Sequence, residues 1–172
     1  MSSELSHHGI RGQRWGVRRY QNADGSLTPA GRKRYSEDYK KLMQKTQAAQ
    51  AQNHQRLLVD SYNKTADEYN SGKIAEYNRT HSADDPDYES NYNKQFNEDW
   101  HRNYTKQYVE FIKNDKNYQK GRALAEKYGL YDFDDLAKSN KYAIESMESY
   151  VQGLISHDEV SRRAEEAGKK FK

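Results

Sequence analysis

Tyr88, Tyr92, Phe96, Trp100, Tyr104, Tyr108 and Ile112 recur at every fourth position. An α-helix advances about 100° per residue, so each step of four overshoots a full turn by about 40°, and the series winds about 240° around the helix. A two-stranded coiled coil needs its seam at a spacing of about 3.5 residues and cannot absorb such a drift. The pattern therefore predicts a long helix that is covered from more than one side, by its own chain or by another. Tyrosine suits either arrangement, because it buries a ring and keeps its hydroxyl in water. Two readings stay open for Tyr88, Tyr92, Phe96, Trp100, Tyr104 and Tyr108: packing on an earlier helix of the same chain, or an oligomeric or partner interface.

The rings carry this weight because other core residues are scarce. Leu, Ile, Val and Phe together number 23 of 172 residues, below the level of roughly a fifth at which an ordinary packed core becomes doubtful. A disordered chain would pair that scarcity with a high net charge and few aromatics; here the net charge is +3 and aromatics make up 12%. These features predict a polar, helical, tyrosine-rich protein without a large core. The absence of cysteine excludes disulfides, thiolate metal sites and a cysteine nucleophile. No apolar run approaches the roughly 18 residues of a membrane span, so no membrane partner is expected. Residues 1–8 hold no apolar stretch and are not read as a secretion signal. On that basis the sequons at Asn63, Asn78 and Asn103 are incidental to an Asn-rich chain.

Composition changes near residue 35. Before it, Arg11, Arg14, Arg18, Arg19, Arg32, Lys33 and Arg34 are opposed only by Glu4 and Asp24, and five of the ten glycines lie in the first 31 residues. Beyond it the chain is close to neutral and poor in helix breakers. Trp15 to Tyr20 can be extended, Asn22-Ala23-Asp24-Gly25 signals a turn, and Ser26-Leu27 can return, which predicts a short β-hairpin or turn module. Thr28-Pro29 reads as N-cap and first helical residue, opening a helix from about 29 to about 70. Ser71-Gly72 reads as a break, Ile74 to Thr80 as a further helical turn, and Ser82 to Pro86 as a second start, with Pro86 near the first helical position. Gly121 and Gly129 are read as punctuation, followed by helices at about 121–128, 132–152 and 157–169, the last capped at Ser156. The expected fold is mainly α, in three parts: a basic, Gly/Arg-rich module over residues 1–28, a long helical hairpin over 29–120, and a small helical bundle over 121–172 that docks on the long helices.

Chemistry-bearing patterns are sparse. His7 and His8 are adjacent and cannot easily face one ion, and His54, His81, His101 and His157 are scattered, so no metal site is expected. Asp132-Phe133-Asp134-Asp135 resembles the opening of a calcium loop, but Ala137 stands where glycine is needed and Ala143 where glutamate is needed. The acids are better read as a helix cap. Gly9, Gly12 and Gly16 have no following Lys-Ser/Thr and so make no phosphate loop. Neither an enzyme nor a cofactor is expected. The remaining candidate is the basic head: Arg11, Arg14, Arg18, Arg19, Arg32, Lys33 and Arg34 around Trp15, Tyr20 and Tyr35. Arginine forks match phosphate and carboxylate oxygens, and rings can stack on bases, so this head could meet DNA, RNA or an acidic protein face.

Residues 7–35 run from His7-His8-Gly9-Ile10-Arg11-Gly12 through Trp15-Gly16-Val17-Arg18-Arg19-Tyr20 to Asp24-Gly25-Ser26-Leu27-Thr28-Pro29-Ala30-Gly31. This stretch resembles a short segment, His-x-Gly-[Ile/Val]-x-Gly-x-x-Trp-Gly-x-Arg-Arg-[Tyr/Phe] followed by Asp-Gly-Ser-Leu-Thr-x-x-Gly. The segment is found near the termini of many proteins of tailed phages and prophages of Gram-positive bacteria. The resemblance covers about a sixth of the chain. His8, Gly9, Gly12, Trp15, Gly16, Arg18, Arg19, Tyr20, Asp24, Gly25, Leu27 and Gly31 stand at its recurring positions. It implies a phage protein located in the virion or the host cytoplasm. The first expectation is a non-enzymatic structural or head-assembly protein that contacts other virion proteins, with self-association and DNA contact left open. The alternatives are an inhibitor that binds and blocks a host antiviral defence protein, and a nucleic-acid-binding accessory protein.

Overall fold

The computed structural model describes residues 19–170, and the calls on Arg11, Arg14, Trp15 and Arg18 lie outside them. The described chain is mainly helical and has no strand. Helix α1 spans Pro29–Glu68, followed by a π-helical turn at Tyr69–Lys73, α2 at Ile74–Thr80, α3 at Tyr88–Asn114, α4 at Lys116–Tyr128, α5 at Leu130–Phe133, α6 at Asp135–Val151 and α7 at His157–Lys170. Helix α1 begins as the sequence predicts: the Thr28 hydroxyl accepts the Gly31 amide at 3.0 Å and Pro29 occupies the first turn. At 40 residues it is about 60 Å long.

The described part of the predicted hairpin is a turn closed by one antiparallel bridge, between Gln21 and Leu27. The Asn22 amide donates to the Ser26 carbonyl (2.7 Å) and the Gly25 amide to the Asn22 carbonyl (3.0 Å). A ladder cannot grow from this bridge. The Tyr20 carbonyl accepts the Thr28 amide (3.2 Å), the Arg19 carbonyl accepts the Thr28 hydroxyl (3.0 Å), and Pro29 has no N–H to offer.

Three other boundaries differ from the sequence reading. The Ser71-Gly72 break is a wide turn inside a continuing helix, where the Ile74 amide reaches back to the Tyr69 carbonyl. Buried Tyr69, packed on Tyr92 and Phe96, holds both sides of the kink. Pro86 lies in the turn before α3, where the Asp85 side chain accepts the Asp87 amide (2.9 Å). The second long helix stops at Asn114 because Asp115 caps a new one, accepting the amides of Asn117 (3.0 Å) and Tyr118 (2.9 Å). Gly121 is therefore interior to α4. A Cβ there would lie 2.5 Å from the Met43 methyl, so this glycine lets α4 approach α1 closely.

The long helices pack on each other, with α4 against α1 and α6 against α3. The main core sits where the N-terminal half of α1 meets the C-terminal helices: Tyr39, Met43, Ala125, Leu130 and Ala137 are buried there, with Tyr35, Leu42, Tyr118 and Phe133 packed around them. The C-terminal helices thus dock on the rod, as their short length required. Local caps hold as read: Asp134 accepts the Ala137 amide (2.8 Å), Ser156 accepts the Glu159 amide (3.2 Å), and Gly129 ends α4 at φ +63°. Along the α1–α3 seam the contacts are polar as well as aromatic. Trp100 Nε1 donates to Ser61 Oγ (3.1 Å), Asn103 to Thr65 Oγ1 (2.9 Å), and Lys73 and Tyr69 to Asp99 (2.9 and 3.1 Å).

Candidate binding surface

The segment 19–34 is built as a clip on the end of α1. The Asp24 carboxylate accepts the Ser26 hydroxyl (2.7 Å) and amide (2.9 Å), and these bonds hold its pKa below the usual carboxylate range. Gly25 adopts φ +86°, a left-handed value that costs glycine nothing. Leu27 is buried and Thr28 ties the Arg19 and Tyr20 carbonyls to the helix start. Gly31 lies directly beneath the clip: a Cβ built on it would stand 2.1 Å from the Tyr20 carbonyl oxygen. Each recurring position of the Asp-Gly-Ser-Leu-Thr-x-x-Gly stretch therefore has a structural task that sequence reasoning did not assign to it.

The charged side chains of the clip point the other way. Arg19, Arg32, Lys33 and Arg34 are exposed. The guanidinium carbons of Arg19 and Arg34 lie 5.4 and 5.3 Å from the centre of the Tyr20 ring. Tyr20 meets Tyr35 edge-on at 6.3 Å, and Tyr35 stacks on Tyr128 at 3.7 Å. Lys127 then reaches the Tyr128 ring at 5.2 Å. The result is a continuous file of Arg19, Tyr20, Arg34, Tyr35, Tyr128 and Lys127. A hydrogen bond from Tyr35, aided by the Lys127 charge, holds the Tyr128 hydroxyl below the usual tyrosine range, while the same contact pushes Tyr35 up. Arg32 belongs to another face, 5.3 Å from the Phe133 ring. Lys127 and Tyr128 come from α4, and no local signal in the sequence links them to the head.

The six aromatics of α3 all face partners within the chain. Tyr88 and Tyr92 meet Tyr77, Tyr92 and Phe96 meet Tyr69, and Phe96 and Trp100 meet Tyr62. Tyr104 bonds His54 Nδ1 through its hydroxyl (2.9 Å) and stacks on Tyr108. All six remain half-buried, and Tyr62 beside them is 49% exposed. The winding series is covered on one side by α1 and, further along, by α6. Tyr150 of α6 donates to the Glu98 carbonyl (3.4 Å).

Two other clusters were not foreseen. A cleft of about 500 Å³ between α4 and α6 is lined by Tyr39, Tyr118 and Tyr131 and rimmed by the pairs Lys113–Glu148, Arg122–Glu126 and Lys141–Glu145. Burial pushes the Tyr39 hydroxyl up to about 12, against the hydrogen bond that Asn140 donates to it at 3.3 Å, so it stays a neutral phenol. His101 and His157, read as scattered, have ring centres 5.1 Å apart, and burial together with His157 lowers the His101 pKa. Among the described residues no group of three or more His, Asp or Glu could hold a metal ion, and no helix is long and apolar enough to cross a membrane. No protein-family model, curated protein or solved structure matches the chain.

Proposed function

We propose that this protein is a non-enzymatic phage particle or head-assembly component that works by binding, with its basic N-terminal module as the adhesive element and the helical rod as spacer. The observation that supports this reading is the division of labour in residues 19–34. Asp24, Gly25, Leu27, Thr28 and Gly31 fix the segment to α1, while Arg19, Arg32, Lys33 and Arg34 keep their charges outside. A clip of this kind carries the preceding basic residues at a defined end of the rod. It is portable, since it needs only a helix start to sit on, and this agrees with the appearance of the resembling segment in otherwise different phage proteins.

The geometry favours a protein partner over single-stranded nucleic acid. Base stacking needs open ring faces, whereas Tyr20 already carries two guanidinium groups and Tyr35 is stacked on Tyr128. The test is quantitative mass spectrometry of purified particles. The expected result is this chain at a fixed ratio to the shell protein. Recovery only from host cytoplasm in complex with a host defence protein would replace this reading with the inhibitor, and turnover of a substrate would refute it.

A further inference from the structure

We infer that the file of Arg19, Tyr20, Arg34, Tyr35, Tyr128 and Lys127 is a docking site for a carboxylate-rich peptide segment of a partner protein. This rests on the binding role proposed above and names the chemistry of the partner. Three cations stand along three tyrosine rings. A guanidinium or ammonium held against a ring has lost much of its rotational freedom before any partner arrives, yet it still presents N–H groups outward. Among the described residues Arg19 and Lys127 have no carboxylate within ion-pair distance, and Arg34 has only a single contact to Asp38, at 3.6 Å with both side chains well exposed. The cations are thus ordered but electrostatically unfilled. Carboxylates fill them with charge-assisted hydrogen bonds, and the tyrosine edges between them accept the stems of glutamate side chains.

Duplex DNA is the competing anion, and it fits less well. Its phosphates repeat along a stiff rod, so a tight complex must engage a broad basic surface, whereas this file is flanked by Asp24 and Asp38 on a chain of net charge only +3. An acidic peptide needs only a narrow track. Lys127 is the decisive residue because it comes from α4 and belongs to no part of the N-terminal segment.

The experiment is fluorescence anisotropy of the full chain with a labelled oligoglutamate peptide and, in parallel, a duplex DNA, each across a salt series, with circular dichroism to confirm folding of every variant. Lys127→Gln and Arg34→Gln are each expected to weaken peptide binding about two- to fivefold, as for an exposed ion pair. Asp38→Asn, which removes the internal competitor, is expected to tighten it. Peptide binding unaffected by Lys127→Gln but abolished by Arg11→Gln with Arg14→Gln would overturn the file as the site while leaving an adhesive N-terminal module in place. Tighter binding of the DNA, weakened by the same variants, would overturn the choice of partner.

Discussion

Replacing Gly31 by alanine should lift the clip off the rod and leave the rod folded. The new Cβ would stand 2.1 Å from the Tyr20 carbonyl oxygen and 3.0 Å from its carbon, and both are backbone atoms with no flexible end to swing aside. Restoring ordinary contact requires the segment to move by about 1 Å or more. That movement breaks the bond from the Thr28 amide to the Tyr20 carbonyl (3.2 Å) and from the Thr28 hydroxyl to the Arg19 carbonyl (3.0 Å). Each is worth about 0.5–1.5 kcal/mol net, and re-exposing Leu27 costs about 1.5–3 kcal/mol. Alanine in place of glycine in the first turn returns at most about 1 kcal/mol to the helix. The clip therefore loses about 2–4 kcal/mol of local stability. Amide exchange read by NMR gives the test at Asn22, Gly25 and Thr28, whose N–H groups are bonded within the clip. Their protection should fall at least tenfold, while amides in the middle of α1 keep theirs. Unchanged protection at Thr28 would refute the reasoning, because it would mean that Tyr20 does not press on Gly31.

Asp115→Ala should destabilise the junction of α3 and α4 by about 0.5–2 kcal/mol, read as a lower denaturant midpoint, because the carboxylate caps α4 and also accepts the Thr46 hydroxyl at 2.7 Å. Burial raises the Asp115 pKa, but the bonds from Thr46, Tyr118 and Asn117 outweigh it and leave the group below its usual value. Its contribution is therefore present at neutral pH and lost as pH falls through the lowered pKa, and acid titration of Asp115→Asn should lack that component. Ser146→Ala should leave the fold unchanged or stabilise it by about 1 kcal/mol or more, seen as a higher melting temperature, since the buried Ser146 hydroxyl has no hydrogen-bond partner. The depressed His101 pKa gives the opposite pH signature to a salt-bridged histidine: stability is present above the ordinary histidine value and declines as pH drops through the lowered one. Hydrogen exchange of α7 between neutral and mildly acid pH should show this loosening, and His101→Gln should flatten it.

The parts of the fold that were legible in the sequence are those set by neighbours in the chain. Thr28-Pro29, Asp134 and Ser156 cap helices because a side-chain oxygen reaches an amide three residues on, and Gly129 ends one because it adopts a positive φ. The winding of the α3 aromatics was legible because it depends on helix geometry alone, and α1 with α6 supplies the cover it demands. What failed were glycines and acids whose reasons lie across space. Gly31 and Gly121 look like weak points of helices, yet one makes room for the Tyr20 carbonyl and the other for Met43. Asp115 sits in a run with no break signal, and its capping role is coupled to Thr46 on another helix. In the candidate surface, Arg19, Tyr20 and Arg34 were readable as a basic aromatic head, but Tyr128 and Lys127 were not, because only the return of α4 beside α1 brings them to Tyr35.

The central claim is that the clipped basic module attaches this chain to its particle. The most direct measurement compares how much of the wild-type chain and of an Arg19→Gln, Arg34→Gln, Lys127→Gln variant is recovered in purified particles from otherwise identical infections. The account predicts a fixed stoichiometry for the wild type and a severalfold loss for a variant that still folds. Equal recovery of both would contradict it.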